Sequence, residues 1–160
     1  MKNLKYVRNA KGYSQAQLAQ FLHVGSSTVC RWELGQTKPS LCQFLMLCKI
    51  LNCKPAQLCD EFTHSQIPVF DIENSAAAGY PLTDELKGSG CSFGLILPFD
   101  IYGRFKKGDI CYFSLEAADV CDEKPVLAFD DNYNEYIYPF KDHNSNLQII
   151  ATCNAVYTKI

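Results

Sequence analysis

The sequence contains no pair of cysteines separated by two residues, and it has only three histidines. Zinc ribbons and related metal sites use such close cysteine pairs, so no metal ion and no cofactor are expected. The nine cysteines are an odd number and no secretion signal opens the chain, which argues against a disulfide framework. The only close cluster, Cys48, Cys53 and Cys59, is expected to consist of buried thiols that act as small apolar groups.

Long apolar runs are also missing. None approaches the ~20 residues that cross a membrane, and no charged-then-apolar leader is present. We therefore expect a cytoplasmic protein with no membrane partner. With 48% hydrophobic and 20% charged residues, the 160-residue chain is expected to fold, either as one domain or as two small ones.

Acidic residues are scarce in the first part of the chain and abundant in the rest. Residues 1–62 contain eight Lys or Arg and three acids, a net charge of +5. Residues 63–160 contain seven Lys or Arg and fourteen acids, a net charge of −7. A basic segment joined to an acidic one suggests that the basic segment binds a polyanion and the acidic one does not.

Residues 1–62 have the apolar spacing of short helices. Ser14 occupies the N-cap position of the second helix, with Gln17 as its capping-box partner. His23 falls in the tight turn that follows, where positive φ is needed and His is tolerated. Trp32 is expected on the buried face of the third helix. This placement determines which side of the third helix points outward.

The outward side of the third helix carries short polar side chains and a cation, which can reach base edges and phosphates in the major groove. Gln15, at the start of the second helix, and Lys38, in the loop after the third, are expected near the DNA backbone. For Arg31 the alternative is a surface salt bridge, and for one of the two serines it is helix capping alone. The candidate DNA-contacting residues are Gln15, Ser26, Ser27, Thr28, Arg31 and Lys38.

The run from residue 11 to residue 40 resembles the helix-turn-helix family of phage repressors of the Cro and lambda-repressor type. It has the G-x-S-Q-x-x-L-A start and the R-W-E-x-G-x-x-x-P-S finish of that family. The resemblance implies a five-helix bundle that binds a two-fold operator as a dimer. It also implies DNA contacts by Gln15, Ser26, Ser27 and Arg31. His23 at the turn departs from the family pattern.

From residue 68 to residue 160 the spacing changes to short apolar runs split by Gly, Pro, Asp and Asn, which predicts a mostly-β domain after a linker at 63–67. The fold class is therefore α+β with two domains, 1–62 and 68–160. Turns at 130–132 and 142–146 are expected to join neighbouring strands. The candidate strands are Ile67–Ile72, Phe93–Leu97, Asp109–Ser114, Lys124–Asp130, Glu135–Phe140 and Leu147–Val156.

Three short motifs in the second domain resemble the LexA-like domain of many repressors. Residues 77–81 (A-A-G-Y-P) are similar to its self-cleavage segment, with Ala78–Gly79 at the scissile position. Residues 107–110 (K-G-D-I) are similar to a strand entry of that domain, and residues 154–157 (N-A-V-Y) to its end.

The Ser–Lys catalytic pair that this resemblance implies is not found in the sequence. The position nine residues before Gly108 is Phe99, and the strand expected to supply the Lys, residues 135–138, contains none. Ser89, Ser92 and Lys87 are the nearby candidates for a rearranged pair. We therefore predict a non-proteolytic relative with no catalytic residues.

The predicted function is a sequence-specific DNA-binding repressor of phage or mobile-element type that binds a palindromic operator as a dimer. The second domain is expected to form the homodimer through aromatic residues Tyr133, Tyr136, Tyr138 and Phe140. Two alternatives stay open: an autoproteolytic LexA-like repressor, and a regulator whose second domain binds a partner protein. Without cleavage, an anti-repressor protein, a ligand or competition is expected to relieve repression.

Overall fold

The computed structural model of the chain describes residues 1–59, 66–73, 76–81, 86, 90–101, 103–116, 124–132, 134–139 and 146–157. The chain forms two compact units, Met1–Phe62 and Thr63–Ile160, called here the helical unit and the sheet unit. This arrangement confirms the two-domain α+β fold class. No helix in the described ranges has the length and apolarity needed to cross a membrane.

Five helices form the described part of the helical unit, as predicted. Ser14 caps the second helix: its Oγ accepts from the Gln17 N–H at 3.1 Å, and the Gln17 side chain accepts from the Ser14 N–H at 2.8 Å. Ser40 and Gln43 form the same reciprocal pair at the fourth helix. The helices are α1 Lys2–Ala10, α2 Gln15–Phe21, α3 Ser26–Glu33, α4 Leu41–Ile50 and α5 Pro55–Leu58.

Apolar side chains from all five helices form the core of the helical unit. Leu18 on α2, Val29 on α3 and Leu45 on α4 are fully buried. Trp32 is 2% exposed, which confirms that it belongs to the buried face of α3. The opposite side of α3 is therefore the side that remains at the surface.

Within the described ranges, seven strands form one sheet in the order β2-β1-β3-β4-β7-β5-β6. β1 pairs with β3 in parallel, and every other pairing is antiparallel. Gln66 and Ile67, included in the predicted linker, belong to β1, while residues 63–65 lie outside the described ranges. The strands are β1 Gln66–Asp71, β2 Ala76–Pro81, β3 Phe93–Ile96, β4 Ile110–Ser114, β5 Pro125–Phe129, β6 Glu135–Pro139 and β7 Gln148–Tyr157.

Six of these strands agree with the prediction and one was missed. The missed strand is β2, which contains the predicted scissile bond Ala78–Gly79. The expectation that a turn at 142–146 joins neighbouring strands is wrong, because β5 lies between β6 and β7 in the sheet. Residues 142–145 themselves lie outside the described ranges.

Buried aromatic and aliphatic side chains cover both faces of the central strands. On one face, the rings of Phe93 and Phe113 stack with centroids 5.5 Å apart. On the other, Val69 and Tyr112 are buried in a cluster with Ile67, Leu86 and Cys91. Burial on both faces explains why these strands are continuous apolar runs rather than alternating ones.

Candidate nucleic-acid interface

The connection between α2 and α3 is a tight turn fixed by backbone hydrogen bonds. The N–H of Val24 donates to the carbonyl of Ala19 at 3.0 Å. His23 has φ of 51°, the left-handed conformation predicted for this position. Leu22 is fully buried in the turn and ties it to the core. The two helices are thereby held as a helix-turn-helix.

Three of the predicted contact residues form an exposed row on α3. Ser26, Ser27 and Arg31 are exposed, and Thr28 is half-buried beside them. Ser27 and Arg31 are four residues apart and so lie on the same side of the helix. Because Val29 fills the core on the opposite side, this row faces away from the unit.

Neither serine caps α3. The N-cap is Gly25, and no side-chain hydrogen bond caps the helix. The alternative in which one serine acts only as a cap is therefore wrong. Both hydroxyl groups stand at the exposed start of the helix and can contact a ligand.

Arg31, on α3, and Lys38 are both exposed cations. Lys38 lies in the loop between α3 and α4. None of the described carboxylates forms an ion pair with Arg31, so the salt-bridge alternative finds no partner within those ranges.

The side chain of Glu33, at the end of α3, forms a buried ion pair that the sequence analysis missed. Its Oε1 accepts from Nε of Arg8 at 2.5 Å, and its Oε2 accepts from the Gln15 amide at 2.7 Å. The Arg8 guanidinium also donates to the carbonyl of Tyr13 at 2.6 Å. This network joins α1, α2 and α3 at one point.

Burial of Glu33 disfavours its charged form, but hydrogen bonds from Arg8 and Gln15 outweigh that effect and lower the pKa of the carboxyl. The Gln15 side chain is therefore held in place by the protein itself. One of its two amide hydrogens is used by Glu33, and the other remains available for a phosphate.

The surface of the helical unit carries positive charge. Glu33 is the only Asp or Glu in residues 1–59, and it is buried and paired with Arg8. The remaining charged side chains described in this range are cations at the surface. They are Lys5, Lys11, Arg31, Lys38, Lys49 and Lys54.

Only some of the positions considered for a Ser–Lys pair lie within the described part of the sheet unit. Phe99, at the position implied for the nucleophile, is 49% exposed, and Tyr138 in β6 is half-buried. Ser92 is half-buried beside β3, while Lys87 and Ser89 lie outside the described ranges. Among the described residues, no group of His, Cys, Asp and Glu side chains is arranged to hold a metal ion.

The helical unit, with its exposed α3, defines a helix-turn-helix protein, and comparisons agree. The helix-turn-helix family model HTH_3 matches residues 4–58. The chain is 34% identical over 80 residues to the SPbeta prophage-derived uncharacterized HTH-type transcriptional regulator YonR of Bacillus subtilis, covering 48% of this chain and 73% of that protein. The chain therefore belongs to the HTH_3 family of helix-turn-helix transcriptional regulators.

Two solved structures are similar over most of the chain at low identity. An HTH_3 family transcriptional regulator from Vibrio cholerae is 14% identical with a TM-score of 0.36, covering 99% of this chain and 94% of that chain. Hydroxypropylphosphonic acid epoxidase from S. wedmorenis is 12% identical with a TM-score of 0.34, covering 94% and 85%.

Proposed function

We propose that this DNA-binding transcriptional regulator is a sequence-specific cytoplasmic repressor of phage or mobile-element type, which binds a palindromic operator as a dimer. One observation carries the proposal: the exposed row on α3 lies on a unit whose single carboxylate within residues 1–59 is buried and neutralised. The surface that meets the DNA therefore has no repelling charge in that range. The prophage origin of the relative in Bacillus subtilis supports the assignment to a mobile element.

The residues of the interface divide into two roles. Arg31 and the hydroxyl groups of Ser26, Ser27 and Thr28 read base edges, because α3 presents them outward at its first two turns. Gln15 and Lys38 bind the phosphate backbone and set the register of the protein on the duplex. The Glu33–Gln15 hydrogen bond fixes the orientation of Gln15 before DNA arrives.

A gel-shift titration on DNA from the chain's own promoter region tests the DNA-binding proposal. We expect Arg31→Ala to weaken specific binding by about 1–3 kcal/mol and to relax discrimination against a scrambled duplex. Lys38→Ala should weaken binding to both duplexes alike and reduce the dependence on salt concentration. Lys54→Ala, an exposed lysine before α5, is the matched control and should change neither property.

Equal and weak binding of the unaltered protein to both duplexes would overturn sequence-specific repression. That result would favour the alternative in which the acidic sheet unit binds a partner protein. Binding that is specific but independent of Arg31 would overturn the assigned role of α3 instead.

For the dimer, we propose the edge strand β6 as the contact. Among the described strands, β6 is the last in the sheet and pairs only with β5, and Tyr136 on it is 39% exposed. Tyr133 and Phe140, the other aromatic candidates apart from Tyr138, lie outside the described ranges. An edge strand offers unpaired backbone groups to a second copy, and a lysine on it opposes such pairing.

Sedimentation equilibrium tests this contact. Tyr136→Lys should shift the protein from dimer to monomer, whereas Tyr6→Lys, at a residue 77% exposed on α1, should leave the dimer intact. A dimer that survives Tyr136→Lys would place the contact elsewhere.

We also propose that the sheet unit does not cleave itself. Phe99 stands where the resemblance implies the Ser, and residues 135–138, which it implies should supply the Lys, contain none. Incubation at raised pH should leave the full-length chain intact on a denaturing gel. A cut at Ala78–Gly79 would contradict this. Without cleavage, relief of repression falls to an anti-repressor protein, a ligand or competition.

A further inference from the structure

The C-terminal end of α4 brings two cysteines together. Asn52 has φ of 46°, and its N–H donates to the carbonyl of Lys49 at 3.2 Å. The N–H of Cys53 donates to the carbonyl of Cys48 at 2.9 Å. These two bonds define a Schellman motif, which is frequently accompanied by a contact between the side chains of its two outer residues. In this chain those two residues are Cys48 and Cys53.

The two thiols differ in access to solvent. Cys48 is 1% exposed, whereas Cys53 is half-buried. Both are present as thiols rather than as a disulfide. A side-chain hydrogen bond also joins the two thiols, so their sulfur atoms face each other, as disulfide formation requires.

The environment of Cys53 favours its thiolate. A hydrogen bond from the Cys48 thiol lowers the pKa of Cys53 against the opposing effect of burial, and the charge of Lys11 lowers it further. Burial, followed by the hydrogen bond to Cys53, raises the pKa of Cys48. A partly exposed thiolate near a cation is the typical environment of a reactive cysteine.

We propose that Cys48 and Cys53 form a peroxide-sensitive dithiol, in which Cys53 is oxidised first and Cys48 then closes an intramolecular disulfide. The site lies in the helical unit but is separate from the DNA-contacting row on α3. It assigns a chemical role to a cysteine cluster whose members were expected to act only as small apolar groups.

The reaction balances with hydrogen peroxide as the oxidant. The Cys53 thiolate attacks one peroxide oxygen, the O–O bond breaks, and the departing hydroxide takes up a proton to become water. The sulfenic acid formed on Cys53 is then attacked by the Cys48 sulfur, which loses its proton. The S–S bond forms and a second water leaves, so two thiols are oxidised and one peroxide is reduced.

The sheet unit contains a second pair of cysteines, with which the reactivity of Cys48 and Cys53 can be compared. Cys111 and Cys153 lie on the paired strands β4 and β7, and both are buried, with exposures of 0% and 2%. This burial limits the access of peroxide to both sulfur atoms. We therefore expect this pair to react on the order of tenfold more slowly than Cys53.

The experiment treats the full-length protein with stepwise hydrogen peroxide, blocks remaining thiols with iodoacetamide, and maps tryptic peptides by mass spectrometry. Lys49 lies between the two cysteines, so trypsin separates them and only a disulfide rejoins the two peptides. Because Cys42 and Cys59 lie on the same two peptides, fragmentation of the linked species assigns the bond to Cys48 and Cys53. We expect that linked species to appear before any oxidation of Cys111 or Cys153. Cys59→Ser should not change its formation.

Two variants separate the roles of the two sulfurs. Cys53→Ser should abolish the linked peptide, and because this residue is half-buried the variant is expected to fold. Cys48→Ser should leave a sulfenic acid on Cys53 that dimedone captures. Absence of the linked peptide, its formation only after Cys111 has reacted, or a link from Cys53 to Cys59 would each overturn the proposal.

Discussion

Glu33 shows how one residue can join three helices. Its carboxylate receives hydrogen bonds from Arg8 on α1 and Gln15 on α2 while it remains 7% exposed. Arg8 and Glu33 are 25 positions apart in the sequence. The sequence alone could not pair them, because their contact exists only once the helices have packed. The exposure of the candidate DNA-contacting residues on α3 depends on no such long-range contact, so it could be predicted from the local sequence.

Replacing Glu33 with Gln should destabilise the helical unit by about 3 kcal/mol, because the Arg8 charge is left buried without its partner. Urea unfolding followed by circular dichroism measures this change. The double variant Arg8→Met with Glu33→Leu should cost much less, since it removes both charges together. A single variant no worse than the double one would contradict the argument.

Acid should have the same effect as the single variant. The folded pKa of Glu33 lies below its unfolded value, so the stabilisation is complete above the unfolded pKa, about 4.3. It is lost as the pH falls through that value and then through the folded pKa. Thermal melts between about pH 6 and pH 3 should therefore show a loss of stability that is smaller in Glu33→Gln.

Gly94 in β3 leaves no room for a methyl group. A Cβ there would meet Cγ2 of Val69 at 2.9 Å and Cδ1 of Tyr112 at 3.2 Å. Gly94→Ala should destabilise the sheet unit by about 1–3 kcal/mol through overpacking, as measured by urea unfolding. At Gly25 the nearest atom lies at 3.5 Å, so Gly25→Ala is the control, with a cost below about 1 kcal/mol. Equal effects at the two positions would argue against overpacking.

At the scale of elements, the ends of the helices were the most predictable feature. Ser14 and Gln17 form the capping box that their spacing indicates, and His23 takes the left-handed turn. These are local interactions, so the local sequence determines them. The order of strands in the sheet depends on distant pairings, which is why the neighbours of β6 and β7 were not predicted correctly.

Strand β2 was missed for a related reason. Its sequence, A-A-A-G-Y-P, is poor in β-branched residues and ends in proline. It becomes a strand because it pairs with β1 over six residues, with Ala78 opposite Val69. The resemblance of residues 77–81 to a cleavage segment concerned the chemistry of these residues and predicted no strand.

Ser14→Ala should lower the stability of the helical unit by about 1 kcal/mol, because the Gln17 N–H loses its acceptor. Ser27→Ala, which removes an exposed hydroxyl from α3 with no capping role, should leave the thermal midpoint nearly unchanged and weaken DNA binding instead. Thermal melts and gel shifts on both variants separate the two functions of serine. A stability loss of the same size in Ser27→Ala would contradict this assignment.

At the scale of the whole molecule, the chain divides into two compact units. Calorimetry should therefore resolve two unfolding transitions. Glu33→Gln should lower the midpoint of one and Gly94→Ala the midpoint of the other. If both variants shift a single common transition, the two units unfold as one cooperative body.

The order of the strands also has a consequence for synthesis. The helical unit has all five of its helices once residue 58 has been made. The sheet of the sheet unit cannot be completed until its last described strand, β7, has been made. This is because β7 lies between β4 and β5 and joins them. On the ribosome, a nascent chain can therefore carry a finished helix-turn-helix while β5 and β6 await the strand that joins them to the rest of the sheet.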